Sequence, residues 1–109
     1  MNVTQVTVDR RYRERTDVEL WVDVDLDGAV RVHRATDLSL GGLSLERGVP
    51  HATGSRVTLE LRLPDRGAAL RIEAEVMGAD RNRGVGLRFV SLTREQRVRL
   101  ADFLLRCWA

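Results

Sequence analysis

Lysine is absent from the 109-residue sequence, and cysteine, histidine, proline and the aromatics are scarce. The single cysteine, Cys107, excludes an internal disulfide, and no Cys/His set has metal-ligand spacing. Neither His33 nor His51 has a Ser, Cys or carboxylate partner at a suggestive spacing. No acid–base or nucleophile set is visible, so an enzyme is the least expected class. No apolar run approaches the roughly 18 residues of a membrane span, and the opening MNVTQVTVDRR lacks the apolar stretch of a secretion signal. A cytoplasmic protein is expected. Five aromatics, mostly within apolar patterns, fit poorly with a single-strand nucleic-acid binder, which stacks bases on exposed rings.

What is present is arginine. All 18 basic residues are of this type, and the net charge is only +2, so a generic polyanion-binding surface is not indicated. Local clustering matters more than the total. Residues 9–15 hold four arginines and residues 81–88 hold three. Their planar guanidinium forks suit phosphates and guanine edges better than a point charge would.

Length and composition indicate one domain with a single modest core. Residues 1–8 read as an N-terminal tail or frayed strand, and residues 9–15 as a ligand-binding loop. From Thr16, apolar Val18, Leu20, Val22, Val24 and Leu26 alternate with polar neighbours, the period of a half-buried strand. Asp27-Gly28 is a hairpin signal. A second strand follows from about Ala29 to Thr36, with Val30 and Val32 on one face, and Leu43 and Leu45 resume a short third. Val57–Leu63, Leu70–Val76 and Val85–Phe89 give three more alternating segments, the first two divided by the Pro64–Gly67 turn. Then the period changes. Thr93-Arg94-Glu95-Gln96 has the form of a capping box, and Val98, Ala101, Leu104, Leu105 and Trp108 follow at helical spacing, with Leu100 and Phe103 widening the face. The expectation is a mainly all-β fold: a small six-stranded antiparallel barrel over 16–90 with a helix over 93–108 packed on it. Trp21 and Trp108 are expected in the core or at a barrel edge, and Cys107 as a small buried hydrophobe.

Two stretches carry chemistry. Arg10-Arg11-Tyr12-Arg13-Glu14-Arg15 places Arg11 and Arg15 four residues apart, each able to make bidentate contacts with phosphate or the O6/N7 edge of guanine. Asp37-Leu38-Ser39-Leu40-Gly41-Gly42 places a carboxylate, a hydroxyl and two glycines at a strand end. Asp37 offers an acceptor pair matching the N1–H and N2–H donors of guanine, Ser39 a short donor or acceptor. Gly41 and Gly42 let the backbone approach a ligand. Such a site would read both phosphate and guanine, which a guanine dinucleotide presents. The competing readings are a solvated arginine loop and ordinary Asx and Ser turns. Each motif alone is weak, and their order and spacing in this strand pattern make the combination fairly specific.

Arg11-x-x-x-Arg15 followed by Asp37-x-Ser39-x-x-Gly42, with Gly84-Val-Gly-Leu-Arg-Phe89 leading into a final helix, resembles the PilZ domain over nearly the whole chain. The resemblance implies a stand-alone receptor for cyclic di-GMP, with no other cofactor and no catalysis. It implies that Arg11 and Arg15 grip phosphate and guanine, while Asp37, Ser39 and Gly42 hold a guanine base. Arg10 is similar to the family position that influences stoichiometry, and an arginine there favours an intercalated pair of nucleotides. Arg88 is a weaker transfer, a residue reaching the ligand from the barrel face, and Arg81, Arg83 and Arg88 also read as plain surface charges. The implied mechanism is a 9–15 loop that folds over the nucleotide against the Asp37–Gly42 surface, with a downstream protein reading the change. The alternative is an interaction adaptor that keeps the fold and has little nucleotide affinity.

Overall fold

The structure, a computed structural model, describes residues 15–49, 52–80 and 84–108, with the side chain of Asp80 excepted. Alternation of apolar and polar residues is realised as six strands: β1 (Thr16–Leu26), β2 (Ala29–Leu38), β3 (Gly42–Leu45), β4 (Arg56–Leu61), β5 (Leu70–Asp80) and β6 (Gly84–Phe89). All neighbours are antiparallel, and the order β1-β2-β3-β6-β5-β4 closes on itself as a barrel. Closure removes the free sheet edges that would otherwise invite pairing with other chains. The turn between β1 and β2 is made by Asp27 and Gly28, both at positive φ, with the Gly28 amide donating to Asp25 Oδ1. This is the hairpin that Asp-Gly predicts.

Inward-facing positions fill the barrel. Leu20 and Val22 come from β1, Leu43 and Leu45 from β3, and Val57, Leu59 and Leu61 from β4. Leu70, Ile72, Ala74 and Val76 come from β5, and Val85, Leu87 and Phe89 from β6. β2 departs from this pattern. Val30 and Val32 pair with Asp25 and Asp23 on the outer face and are exposed, as is Trp21 opposite Arg34. Trp21 is thus neither core nor edge, because the period of two assigns it outward whatever its hydrophobicity. Near its end β2 shifts register between Ala35 and Asp37, and Asp37 and Leu38 are both buried.

The helix α1 (Arg94–Trp108) begins with the reciprocal bonds of a capping box. The Gln96 amide donates to Thr93 Oγ1 at 3.1 Å, and the Thr93 amide donates to Gln96 Oε1 at 3.0 Å. Leu100 and Leu104 are fully buried, with Ala101, Phe103 and Trp108 packed beside them. Val98 and Leu105, expected on this face, are exposed. Two polar anchors set the rotation of the helix. Arg99 grips Asp65 and the Ala68 carbonyl in the β4–β5 turn, and the Trp108 indole donates to Thr16 Oγ1 at the start of β1. In the last turn it is Trp108 that faces the barrel, so Cys107 is exposed rather than buried. These anchors place α1 at the barrel end away from the β1–β2 hairpin.

Candidate functional site

The second motif is built by a turn that its own residues close. The Ser39 amide donates to the Gly42 carbonyl at 2.9 Å, and the Gly41 amide donates to Ser39 Oγ at 3.1 Å. Ser39 is therefore a Ser turn and also a wall of the hollow described below. Gly42 opens β3 opposite Arg88 of β6. A Cβ built there would lie 2.1 Å from the Leu87 carbonyl oxygen, so β3 and β6 approach this closely only over a glycine. The glycine's first role is thus strand packing.

Asp37 sits opposite Ser44 across β2 and β3 and is only 4% exposed. A buried carboxylate requires a partner, and Arg15 provides it from the residue just before β1. Arg15 Nη1 donates to Asp37 Oδ1 at 2.7 Å and to Ser44 Oγ at 3.1 Å. The guanidinium is more than a third exposed, so one face of this ion pair looks to solvent. Along β6, Arg88 projects outward and donates to Glu75 Oε1, its cross-strand neighbour on β5, at 2.6 Å.

Arg15 and Arg88 border an open hollow of about 590 Å³ on the outer face of the β3–β6–β5 wall, with Asp37 buried behind Arg15. Arg15, Ser39, Gly41, Gly42 and Arg88 line it, with Met77 and Gly86 as its floor and side. A second hollow of about 490 Å³ adjoins it across Arg15 and Met77 and runs past Ser44, Gly78 and Gly84. The volume of the first suits a ligand the size of a nucleotide. Its polar groups can accept or donate to base edges, while Arg15 and Arg88 offer positive charge to a phosphate.

The structure thus brings together Arg15, Asp37, Ser39, Gly41, Gly42 and Arg88. Arg10 and Arg11 lie outside the described residues, as do Arg81, Arg83 and His51. Sequence reasoning missed Ser44, Met77, Glu75 and Gly86. Only the pairing of β3, β5 and β6 shows that these residues adjoin the motifs, and no local pattern announces it. Among the described residues, no three His, Cys, Asp or Glu side chains converge to hold a metal ion, and no helix is long and apolar enough to cross a membrane.

A family model described as the PilZ domain matches residues 9–106. Comparison with curated proteins finds no match. Among solved structures, the chain resembles the PilZ domain of YcgR from Escherichia coli bound to c-di-GMP, at 19% identity and a TM-score of 0.68, covering 91% of this chain and 92% of that one. It also resembles the Bacillus subtilis inhibitor of motility MotI/DgrA, at 21% identity and a TM-score of 0.69, covering 84% of this chain and 48% of that one. The third is PlzA of Borreliella burgdorferi in complex with c-di-GMP, at 14% identity and a TM-score of 0.62, covering 94% and 45%. The chain spans about half the length of the last two, and at these identities the likeness speaks to the fold.

Proposed function

Because this chain belongs to the PilZ domain family, we propose that it is a cytoplasmic receptor for cyclic di-GMP, without catalytic activity, that signals to a protein partner through a change of surface. The observation that carries the reading is that Arg15 of the first motif pairs with Asp37 of the second and lines one hollow together with Ser39 and Gly42, although the two motifs are far apart in sequence. The c-di-GMP complexes of YcgR and PlzA, which share the fold, support the choice of ligand.

The chemistry follows from the ion pair. Without ligand, Arg15 neutralises Asp37, so the site holds no uncompensated buried charge. On binding, guanine N1–H and N2–H take over the Asp37 carboxylate as donors, and the released Arg15 guanidinium turns to a phosphate or a guanine edge. Arg10 and Arg11 add their forks from the preceding residues, and Arg88, already oriented by Glu75, meets the ligand from β6. An arginine at position 10 is the basis for expecting an intercalated pair of nucleotides rather than one. The rearrangement at residues 10–15 is the change a partner protein reads.

Thermal unfolding with and without cyclic di-GMP tests the reading, with GTP and cyclic GMP as controls. Ligand at a hundredfold excess over Kd stabilises by about 2.7 kcal/mol, a rise in Tm of roughly 10 °C for a domain of this size. No shift with cyclic di-GMP, or equal shifts with all three nucleotides, would sink it.

A further inference from the structure

The helix α1 closes one mouth of the barrel with Leu100 and Leu104, and the opposite mouth, beside the β1–β2 hairpin, contains a cavity of about 150 Å³. Leu45, Val57, Val76, Val85 and Leu87 wall it. Of these, Leu45, Val85 and Leu87 are the inner-face chain neighbours of Ser44, Gly86 and Arg88, so the cavity lies behind part of the wall that carries the outer site. The rim is of a different character. β2 places Arg31 and His33 there, at the inward register positions where the other strands carry aliphatic residues. Glu46 Oε2 accepts from the Arg34 amide at 3.1 Å and lies 3.8 Å from His33 Nδ1, and Glu46 Oε1 lies 3.9 Å from Arg34 Nη2. Arg31 makes no ion pair among the described residues.

An aliphatic cavity of about this volume is large enough for a benzene-sized body. One unpaired guanidinium at its entrance adds a preference for a carboxylate at the end of that body. We propose that the open mouth of the barrel is a second binding site, separate from the nucleotide face, for a small monocarboxylate of about six carbons. The apolar tail lies among Leu45, Val57, Val85 and Leu87, and the carboxylate meets Arg31 at the rim.

Methyl-resolved NMR of the full chain, titrated with sodium hexanoate and separately with 1-hexanol, tests the site. Saturable shifts are expected at the methyls of Leu45, Val57, Val85 and Leu87 with both probes. Arg31→Gln, at an exposed position, weakens hexanoate about 3- to 10-fold and leaves 1-hexanol unchanged. Val49→Phe, at the margin of the cavity, blocks both probes in a chain that still melts cooperatively. Unmoved cavity methyls, shifts confined to the outer residues Val30 and Val32, or hexanoate affinity indifferent to Arg31→Gln would each overturn the proposal.

Discussion

At the scale of single residues, the Arg15–Asp37 pair has two separable consequences. Arg15→Ala leaves a nearly buried carboxylate with fewer donors, and its cost is discounted because the guanidinium is partly solvated. A loss of about 1–2 kcal/mol, seen as a modest drop in Tm, is expected. Asp37→Asn keeps the shape and an acceptor for Arg15, so its fold is expected to be retained while the proposed contact with guanine is weakened. Gly42→Ala behaves differently. Its Cβ meets the Leu87 backbone at 2.1 Å, so β3 and β6 must part and stability falls by several kcal/mol, about 3 or more. A loss of ligand binding in that variant therefore reports on the barrel as much as on contact with a base, and circular dichroism of the free protein tells the two apart. The spacing of Asp37, Ser39 and Gly42 was legible in the sequence. That Gly42 is required by Leu87 was not, because the contact lies between strands whose pairing the sequence does not announce.

At the scale of elements, α1 shows how polar anchors correct an apolar pattern. Period alone includes Val98 and Leu105 in the buried face, yet the Arg99 and Trp108 contacts rotate the helix so that Leu100 and Leu104 plug the mouth. Leu100→Ala or Leu104→Ala is expected to cost about 2–5 kcal/mol, and Val98→Ala or Leu105→Ala no more than about 0.5, measured by denaturant unfolding. Thr93→Ala removes the cap and costs about 1 kcal/mol. The Asp65–Arg99 pair adds a pH dependence. The side-chain hydrogen bond from Arg99, followed by the Gly67 amide, holds the Asp65 carboxyl below its ordinary value. A depressed folded pKa stabilises above the unfolded pKa and is lost as pH falls through the folded one. Wild type and Asp65→Asn should therefore differ in Tm at neutral pH and converge in acid. A gap that persists unchanged in strong acid would contradict the assignment. The capping box and its Thr93 start were legible because both partners lie within one turn; Arg99's partner lies 34 positions away.

At the scale of the whole molecule, periodicity sufficed for six strands and a closing helix, since a strand's period of two and a helix's of about 3.6 are both local. The order β1-β2-β3-β6-β5-β4 is not local, and it alone brings Met77, Glu75 and Ser44 to the motif residues. Outward Trp21, Val30 and Val32 show the limit of reading hydrophobicity as burial, because a closed barrel has twice as many faces as its core needs. The chain is a closed barrel of the PilZ family, and cyclic di-GMP is the ligand proposed for its outer face. Isothermal titration of cyclic di-GMP into wild type, Arg15→Ala and Asp37→Asn addresses that proposal most directly. The account predicts saturable binding of two nucleotides per chain to wild type. It predicts affinity weaker by about 30-fold or more in each variant, the scale of a lost charge-assisted hydrogen bond, with the fold intact. Absence of binding heat in a folded wild type, or equal affinity in all three proteins, would contradict it.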